Sequence, residues 1–383
     1  MRGNQEKRLQ RVVATLCATL FAVYAFLFVG VYQAPVIEVL YNHVATGKLS
    51  FDSYVVGGII SAVLTIFALW LNRFTRFQRE WTAMAYLPST LLLAFVTDID
   101  RSIYVGGWSY GNWIVVISVA MSIYGTLAFV LKRVLFEKIK NIAMGAGRII
   151  WRNLILFVIL FCIAGTLSNG EENFKREALT SVRYSKGDVE GALAVGRKSL
   201  DASPELTAMR AYVMAGDGLL GERLFEFPQY YGAGGIMPGK VQTSALVPDS
   251  VFALIGARPD SAERNMDFLK RLVDTDSANL VARDYYLSSL LLDRQLVGFK
   301  DELARLCGDY DVDSLPKHYR EALLLCSEFT DDFSLELESD TLFVMFDELR
   351  GIERQYDDAL VRNNYVRKAF GRTYWWYYLY GSI

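Results

Sequence analysis

Apolar residues run almost unbroken through five stretches of the first 170 positions: 12–32, 54–71, 81–97, 113–131 and 149–167. A helix needs about 20 mostly apolar residues to cross a bilayer, so five transmembrane helices are expected. The third stretch is the shortest and carries Pro88. A kink is expected there rather than a break, because neighbouring helices can satisfy the freed carbonyl. The first stretch follows a basic tail, as a cleaved leader would. It is too long for one, and the bulky Tyr32 makes a poor cleavage site, so it is expected to be retained.

From Asn169 onward the pattern is helical. The segment GDVEGALAVGRKSLDASPE, residues 187–205, places a glycine turn and Asp188 before a helix, with aspartate a preferred N-terminal cap. Ala192, Leu193 and Leu200 fall on one face of that helix, and Pro204 is expected to stop it. These offsets resemble the second helix of a tetratricopeptide repeat. The preceding helix fits less well, with Thr180 and Arg183 where small and aromatic residues are usual. Weaker echoes follow at 268–293 and 315–326, and Ala192, Ala282, Ala304 and Ala322 would let helices approach closely. The expected fold is therefore all-α. A basic tail (1–11) precedes a five-helix transmembrane bundle (12–168), and a degenerate tetratricopeptide-like solenoid (169–383) follows, its core buried by stacking neighbours.

Charge separates the same two halves. Residues 1–170 hold 15 Lys/Arg and 7 Asp/Glu, a net of +8; residues 171–383 hold 25 and 35, a net of −10. Within the first half the basic residues alternate by loop. Arg2, Lys7, Arg8 and Arg11 precede the first stretch, and Arg73, Arg76 and Arg79 follow the second. Lys132, Arg133, Lys138, Lys140, Arg148 and Arg152 lie between the fourth and fifth or at the start of the fifth. The remaining loops carry only Lys48 and Arg101. Positive loops stay in the cytoplasm, so the N-terminus is expected inside. Five crossings then place the second half outside, in the periplasm of a two-membrane bacterium. Trp81, Trp108, Trp113, Trp151, Tyr32 and Tyr54 sit at or near the expected helix ends, as an interfacial aromatic belt would. The acidic second half would be repelled by phosphate, which argues against nucleic acid as a partner.

Three segments carry a resemblance: LPSTLLLAFVTDI (87–99), LPKHYREALLL (315–325) and TYWWYYLYG (373–381). Together they resemble a family of uncharacterised bacterial polytopic membrane proteins with a repeat-like C-terminal domain. The resemblance implies a topology and no known activity. The last segment raises its own question, since Tyr374, Trp375, Trp376, Tyr377, Tyr378 and Tyr380 offer more aromatic surface than one helix face can bury. Some are expected to pack on Tyr365 and Phe370 and close the helical stack; the rest would meet the membrane surface, the first repeat or a partner.

Sites with recognisable chemistry are few. Gly234, Gly239 and Lys240 echo a phosphate-binding loop, but Val241 stands where magnesium needs Ser or Thr, and no buried strand precedes them. An extended connector is expected instead, with Tyr230 and Tyr231 as stacking surface. Asp309, Asp311 and Asp313 start like a calcium loop, yet Ser314 replaces the turn glycine and Arg320 the bidentate glutamate. Cys307 and Cys326 are expected as free thiols, too far apart along a helical hairpin to bridge, and Cys17 and Cys162 lie in apolar stretches. His43 and His318 are the only histidines, so no metal site or cofactor is expected. The leading expectation is a non-enzymatic membrane scaffold that presents its helical domain to a protein or peptide, with Tyr230, Tyr231 and the aromatic tail as binding surface. The alternative is an enzyme or transporter for a lipid-linked or cell-envelope glycan substrate. It would need Asp98, Asp100, Arg101 and Glu38 to converge in the outer loops. A sensor ranks last, because the inner loops leave no room for an output domain.

Overall fold

A computed structural model describes residues 2–45, 51–75, 77, 79–105, 113–130, 145–239, 246, 248–260, 263–308, 310–329 and 340–381. Among these the secondary structure is helical throughout. The chain divides into two compact units, 1–178 and 179–383.

The first unit contains α1 (Arg2–Leu27), α2 (Ala34–Ala45), α3 (Ser53–Thr75), α4 (Leu87–Thr97), α5 (Trp113–Val130) and α6 (Ala146–Leu167). Four segments among the described residues are long and apolar enough to cross a membrane: Arg8–Tyr32, Ser53–Thr75, Trp113–Val130 and Ala146–Leu167. The expected count of five is thereby corrected to four. The third stretch, Trp81–Thr97, is a shorter apolar helix. Its first part belongs to a 3-10 helix (Arg79–Tyr86) with non-helical backbone at Trp81, and only the 11 residues of α4 are α-helical. Pro88 lies in the first turn of α4, where its missing N–H costs nothing. It therefore starts the helix and does not kink it. The 3-10 turn leaves backbone donors to be satisfied from outside, and Asn153 of α6 accepts from the Ala83 N–H at 2.8 Å.

Close packing holds α1 to α3. Residues Phe28–Tyr32 form a single π-helical turn, and a side chain on Gly57 would come within 2.8 Å of the Gly30 Cα. Ser61 Oγ donates to the Ala22 carbonyl at 2.7 Å across the same contact. The outward faces stay apolar: Ile59, Val63 and Ile66 of α3 and Val119, Ile123 and Phe129 of α5 are all exposed, as a lipid surround permits. Tyr32, Tyr54 and Trp151 are also exposed. Trp108 and the cations at 132–140 lie outside the described residues.

Helix α7 (Glu172–Ser185) carries the chain from the first unit into the second. The second unit contains α8 (Val189–Ala194), α9 (Pro204–Gly216), α10 (Leu220–Arg223), α11 (Pro248–Ile255), α12 (Asn265–Thr275), α13 (Leu280–Leu292), α14 (Leu296–Cys307), α15 (Lys317–Phe329), α16 (Asp340–Gln355), α17 (Ala359–Phe370) and α18 (Tyr374–Tyr380). Neighbours pack in order from α12 to α15. The arrangement is not purely sequential, because α13 also packs on α9, α10 and α11, and α18 packs on α15 as well as α17. Tyr285, Leu287, Leu291 and Leu292 of α13 are fully buried, which makes α13 the centre of the core.

The helix read over the 187–205 segment is much shorter than expected. Asp188 caps it, accepting from the Gly191 N–H, and Ala192 and Leu193 are fully buried. The helix ends at Ala194, and Gly196 then turns with a φ of 63°, a left-handed conformation that glycine adopts without strain. Leu200 is consequently 56% exposed and off the buried face. Pro204 begins α9 behind the cap Ser203 and stops nothing.

Candidate functional site

The break after α8 builds one wall of a groove. Past Gly196 the chain presents Arg197, Lys198 and Leu200 on its outer side. The floor is the segment 225–230, which follows a 3-10 turn at Leu224–Glu226. Gln229 Nε2 donates to the Leu224 carbonyl at 2.9 Å, and the Tyr230 hydroxyl to the Leu200 carbonyl at 2.7 Å. The Tyr231 hydroxyl reaches the Ala202 carbonyl at 3.0 Å, so the two tyrosines pin the floor to the wall. The opposite wall is the end of α17 with the start of α18. Arg367 and Lys368 occupy the last turn of α17, where cations complement the helix dipole. Arg372, Trp376, Tyr377 and Tyr380 continue this wall, and the cavity between the walls measures about 730 Å³.

Its charge is one-sided. Arg197 pairs with Glu226 at 2.8 Å, and Arg223 shares the same carboxylate while also reaching Glu190. Lys198, Arg367, Lys368 and Arg372 are exposed and have no ion pair among the described residues. Elsewhere in this acidic half several arginines are matched, including Arg258 with Asp249, Arg264 with Asp267, Arg271 with Glu263 and Arg350 with Glu328. The groove thus concentrates unmatched cations in a domain rich in carboxylates.

The aromatic tail supplies both core and groove. Tyr374 and Trp375 are fully buried and Tyr377 nearly so, so Tyr374 and Trp375 are core residues rather than the binding surface expected of them. Trp375 packs tilted against Phe346 and Phe370 at 5.0 and 6.2 Å and donates its Nε1–H to the Glu321 carbonyl at 2.8 Å. Tyr374 and Tyr377 both flank Phe225 at 5.0 Å. Their hydroxyls donate to the carbonyls of Leu291 and Leu292 at the end of α13. Arg294, with a φ of 57°, donates to the carbonyls of Tyr377 and Gly381. Phe370 meets the tail as expected, whereas Tyr365 stacks instead on Tyr356 at 4.4 Å. Of the expected binding residues, Tyr230, Trp376 and Tyr377 line the groove; Tyr231 and Tyr378 do not. Tyr378 is partly buried against Tyr374 and Phe329.

A buried polar cluster fixes the tail from beneath. His318 and Glu321 of α15 have no exposed surface. The Phe225 N–H points at His318 Nε2, 3.3 Å away, so Nδ1 carries the proton and donates to Glu321 Oε2 at 2.8 Å. The same Oε2 accepts from the Tyr374 N–H at 2.7 Å. One carboxyl oxygen therefore ties α15 to the first residue of α18.

A second, smaller cavity of about 350 Å³ lies between α9, α13, α14 and α15, lined by Leu280, Asp284, Leu287, Cys307 and Tyr319 among others. Burial pushes Asp284 up from the usual carboxylate range to about 6, against the opposing pull of Arg283 and the Tyr319 hydroxyl. The folded state therefore binds this proton more tightly than the unfolded chain. Stability is expected to fall as pH rises between about 4 and 6 and to stay lowered above that. Asp284→Asn should raise unfolding free energy at pH 7.5 by up to about 3 kcal/mol, at about 1.4 kcal/mol per unit, and change little at pH 4. Thermal unfolding of the detergent-solubilised chain at both values checks this; equal effects at the two would contradict it.

Of the residues of the alternative reading, Asp98, Asp100 and Arg101 lie between α4 and α5, and Glu38 lies on α2. Asp98 Oδ2 accepts from the Trp113 indole at 2.6 Å. Asp100 Oδ1 closes a turn on the Ser102 N–H at 2.9 Å. Arg101 forms a two-pronged pair with Glu177 at 2.8 and 2.6 Å and also reaches Glu171. Glu38 is buried in α2. Asp311 caps a 3-10 turn through the Asp313 N–H; Asp309 lies outside the described residues, as do Lys240 and Val241. All four cysteines are unbridged, and no cluster of three metal-ligating side chains occurs among the described residues.

A family model of unknown function, DUF6057, matches residues 255–381. No curated protein and no solved structure matches the chain. The DUF6057 match takes in the wall formed by α17 and α18, the His318–Glu321 cluster and Asp284, while Arg197, Lys198 and the floor at 225–230 lie before it. The groove cations escaped the sequence reading because they come from segments about 170 residues apart. The available signal was compositional: GRKS at 196–199 and RKAFGR at 367–372 are basic patches in an acidic half.

Proposed function

We propose that this chain is a membrane-anchored scaffold whose tetratricopeptide-like helical domain binds a protein or peptide partner outside the cytoplasmic membrane of a bacterium. The observation that carries the reading is the groove: exposed cations with no ion pair among the described residues, set beside aromatic ring surface, in a domain where several other arginines are matched. The side of the membrane is argued from charge. Lys132, Arg133, Lys138 and Lys140 precede α6 and Arg148 and Arg152 lie in its first two turns, against Lys175, Arg176, Arg183 and Lys186 within about 20 residues after it, a bias that favours its C-terminal end outside. Four crossings do not set the side by count, so the charge flanking α6, the crossing nearest the second unit, carries this placement. Asp98 and Asp100 are each engaged locally, so an enzyme or transporter working through outer carboxylates has less support.

The test uses intact cells. A photo-crosslinking residue at Tyr230 is expected to give a discrete protein adduct, and one at the exposed Leu360, on α17 away from the cavity lining, is expected to give none. A membrane-impermeant thiol reagent should label Lys198→Cys in spheroplasts. Absence of any adduct would remove the scaffold reading, and absence of labelling would put the domain on the cytoplasmic side.

A further inference from the structure

We infer that the groove takes an acidic peptide segment with apolar anchors, supplied by the protein partner; this rests on the scaffold reading. Charge complementarity is the first argument. Lys198 stands on one wall and Arg367, Lys368 and Arg372 on the other, all exposed and none paired among the described residues. A strand of alternating Asp or Glu laid between them would meet cations on both sides. Long-range attraction of this kind speeds encounter and rejects basic segments.

The second argument concerns what the groove lacks. A sugar chain needs many neutral hydrogen-bonding side chains around an aromatic platform. Here the neutral polar side chains apart from tyrosine hydroxyls are Ser199, Gln229 and the Trp376 indole, and Gln229 is already committed to the Leu224 carbonyl. The tyrosine hydroxyls are committed too: Tyr230 to Leu200, Tyr377 to Leu292 and Tyr380 to Glu353. What remains toward the cavity is ring surface, with Trp376 and Tyr380 stacked at 5.3 Å and 9°, together with Leu200, Phe227 and Pro228. Such a lining suits Leu or Phe side chains placed between carboxylates.

The binding test uses the full chain in detergent micelles and a fluorescein-labelled peptide of about ten residues alternating Glu with Leu and Phe. Saturable binding is expected, weakening as salt screens the exposed charges. Arg367→Glu with Arg372→Glu should weaken it at least about tenfold, since like charges would then face the peptide. Lys270→Glu with Arg354→Glu, the same charge change outside the cavity lining, should leave it nearly unchanged. Equal binding by the groove variant, or tighter binding of an anionic oligouronate than of the peptide, would overturn the inference. If the peptide fails to bind while crosslinking from Tyr230 in cells yields a protein partner, the inference falls and the scaffold reading stands. If neither binds, both fall.

Discussion

Removing residues 373–383 is expected to unfold the domain formed by 179–383, not merely to fray its end. The deletion takes away Tyr374 and Trp375, which have no exposed surface, and Tyr377, which is 8% exposed. Truncating one large buried aromatic side chain typically costs about 3–5 kcal/mol, and a whole domain is commonly stable by only about 5–15 kcal/mol. Losing three such side chains consumes that margin. The cut also strips partners from buried groups, because the carbonyls of Leu291 and Leu292 and the carboxyl of Glu321 each lose a donor. Limited proteolysis and circular dichroism of the truncated chain in detergent check the point. A truncated chain with an unchanged melting transition would show that the tail is dispensable. Trp375→Ala alone should lower the unfolding free energy by about 3–5 kcal/mol.

Glu321→Ala is expected to rank next, at about 2–5 kcal/mol. Its Oε2 serves two buried donors, the His318 Nδ1–H and the Tyr374 N–H, and each buried donor left without a partner costs about 1–3 kcal/mol. Glu321→Gln should cost less, since an amide oxygen can still accept from one of them. The effect should also be non-additive with His318→Ala, because removing both partners of a buried pair is milder than stranding one. Denaturant unfolding of the two single variants and the double variant measures this coupling. Additive single and double effects would mean that the two side chains do not act together.

The parts of this fold legible in the sequence are those set by local periodicity. Four long apolar runs became four long helices, and Ala192 and Leu193 were placed correctly in the buried face after Asp188. Local pattern failed where a distant group decided the backbone. The stretch at 81–97 reads as one helix, but a 3-10 turn occupies its start, with its Ala83 N–H accepted by Asn153, 70 residues away. Apolar periodicity after Asp188 continues to Leu200, but the helix ends at Ala194 and the left-handed Gly196 turns the chain away. The tail's contact with Phe370 is near enough in sequence to be legible. Its deeper partners, Phe225, the end of α13 and Glu321, lie between 53 and 152 positions away, beyond any spacing rule. The groove was the least legible part, since its walls come together only once that tail is seated.

The placement of Tyr374 and Tyr377 also sets an order of events during synthesis. A chain emerging from the ribosome can form α9 to α17 and bring some of their apolar faces together, but Phe225 and the end of α13 have no cover until position 377 has been made. Domains whose first segments complete their own core can fold while the rest is still being translated. This one must hold an open aromatic pocket through some 150 residues of elongation, between Phe225 and Tyr377. Its folding is thus tied to synthesis through position 377, and a product that stops before the aromatic run would carry an exposed apolar cleft that proteases can recognise.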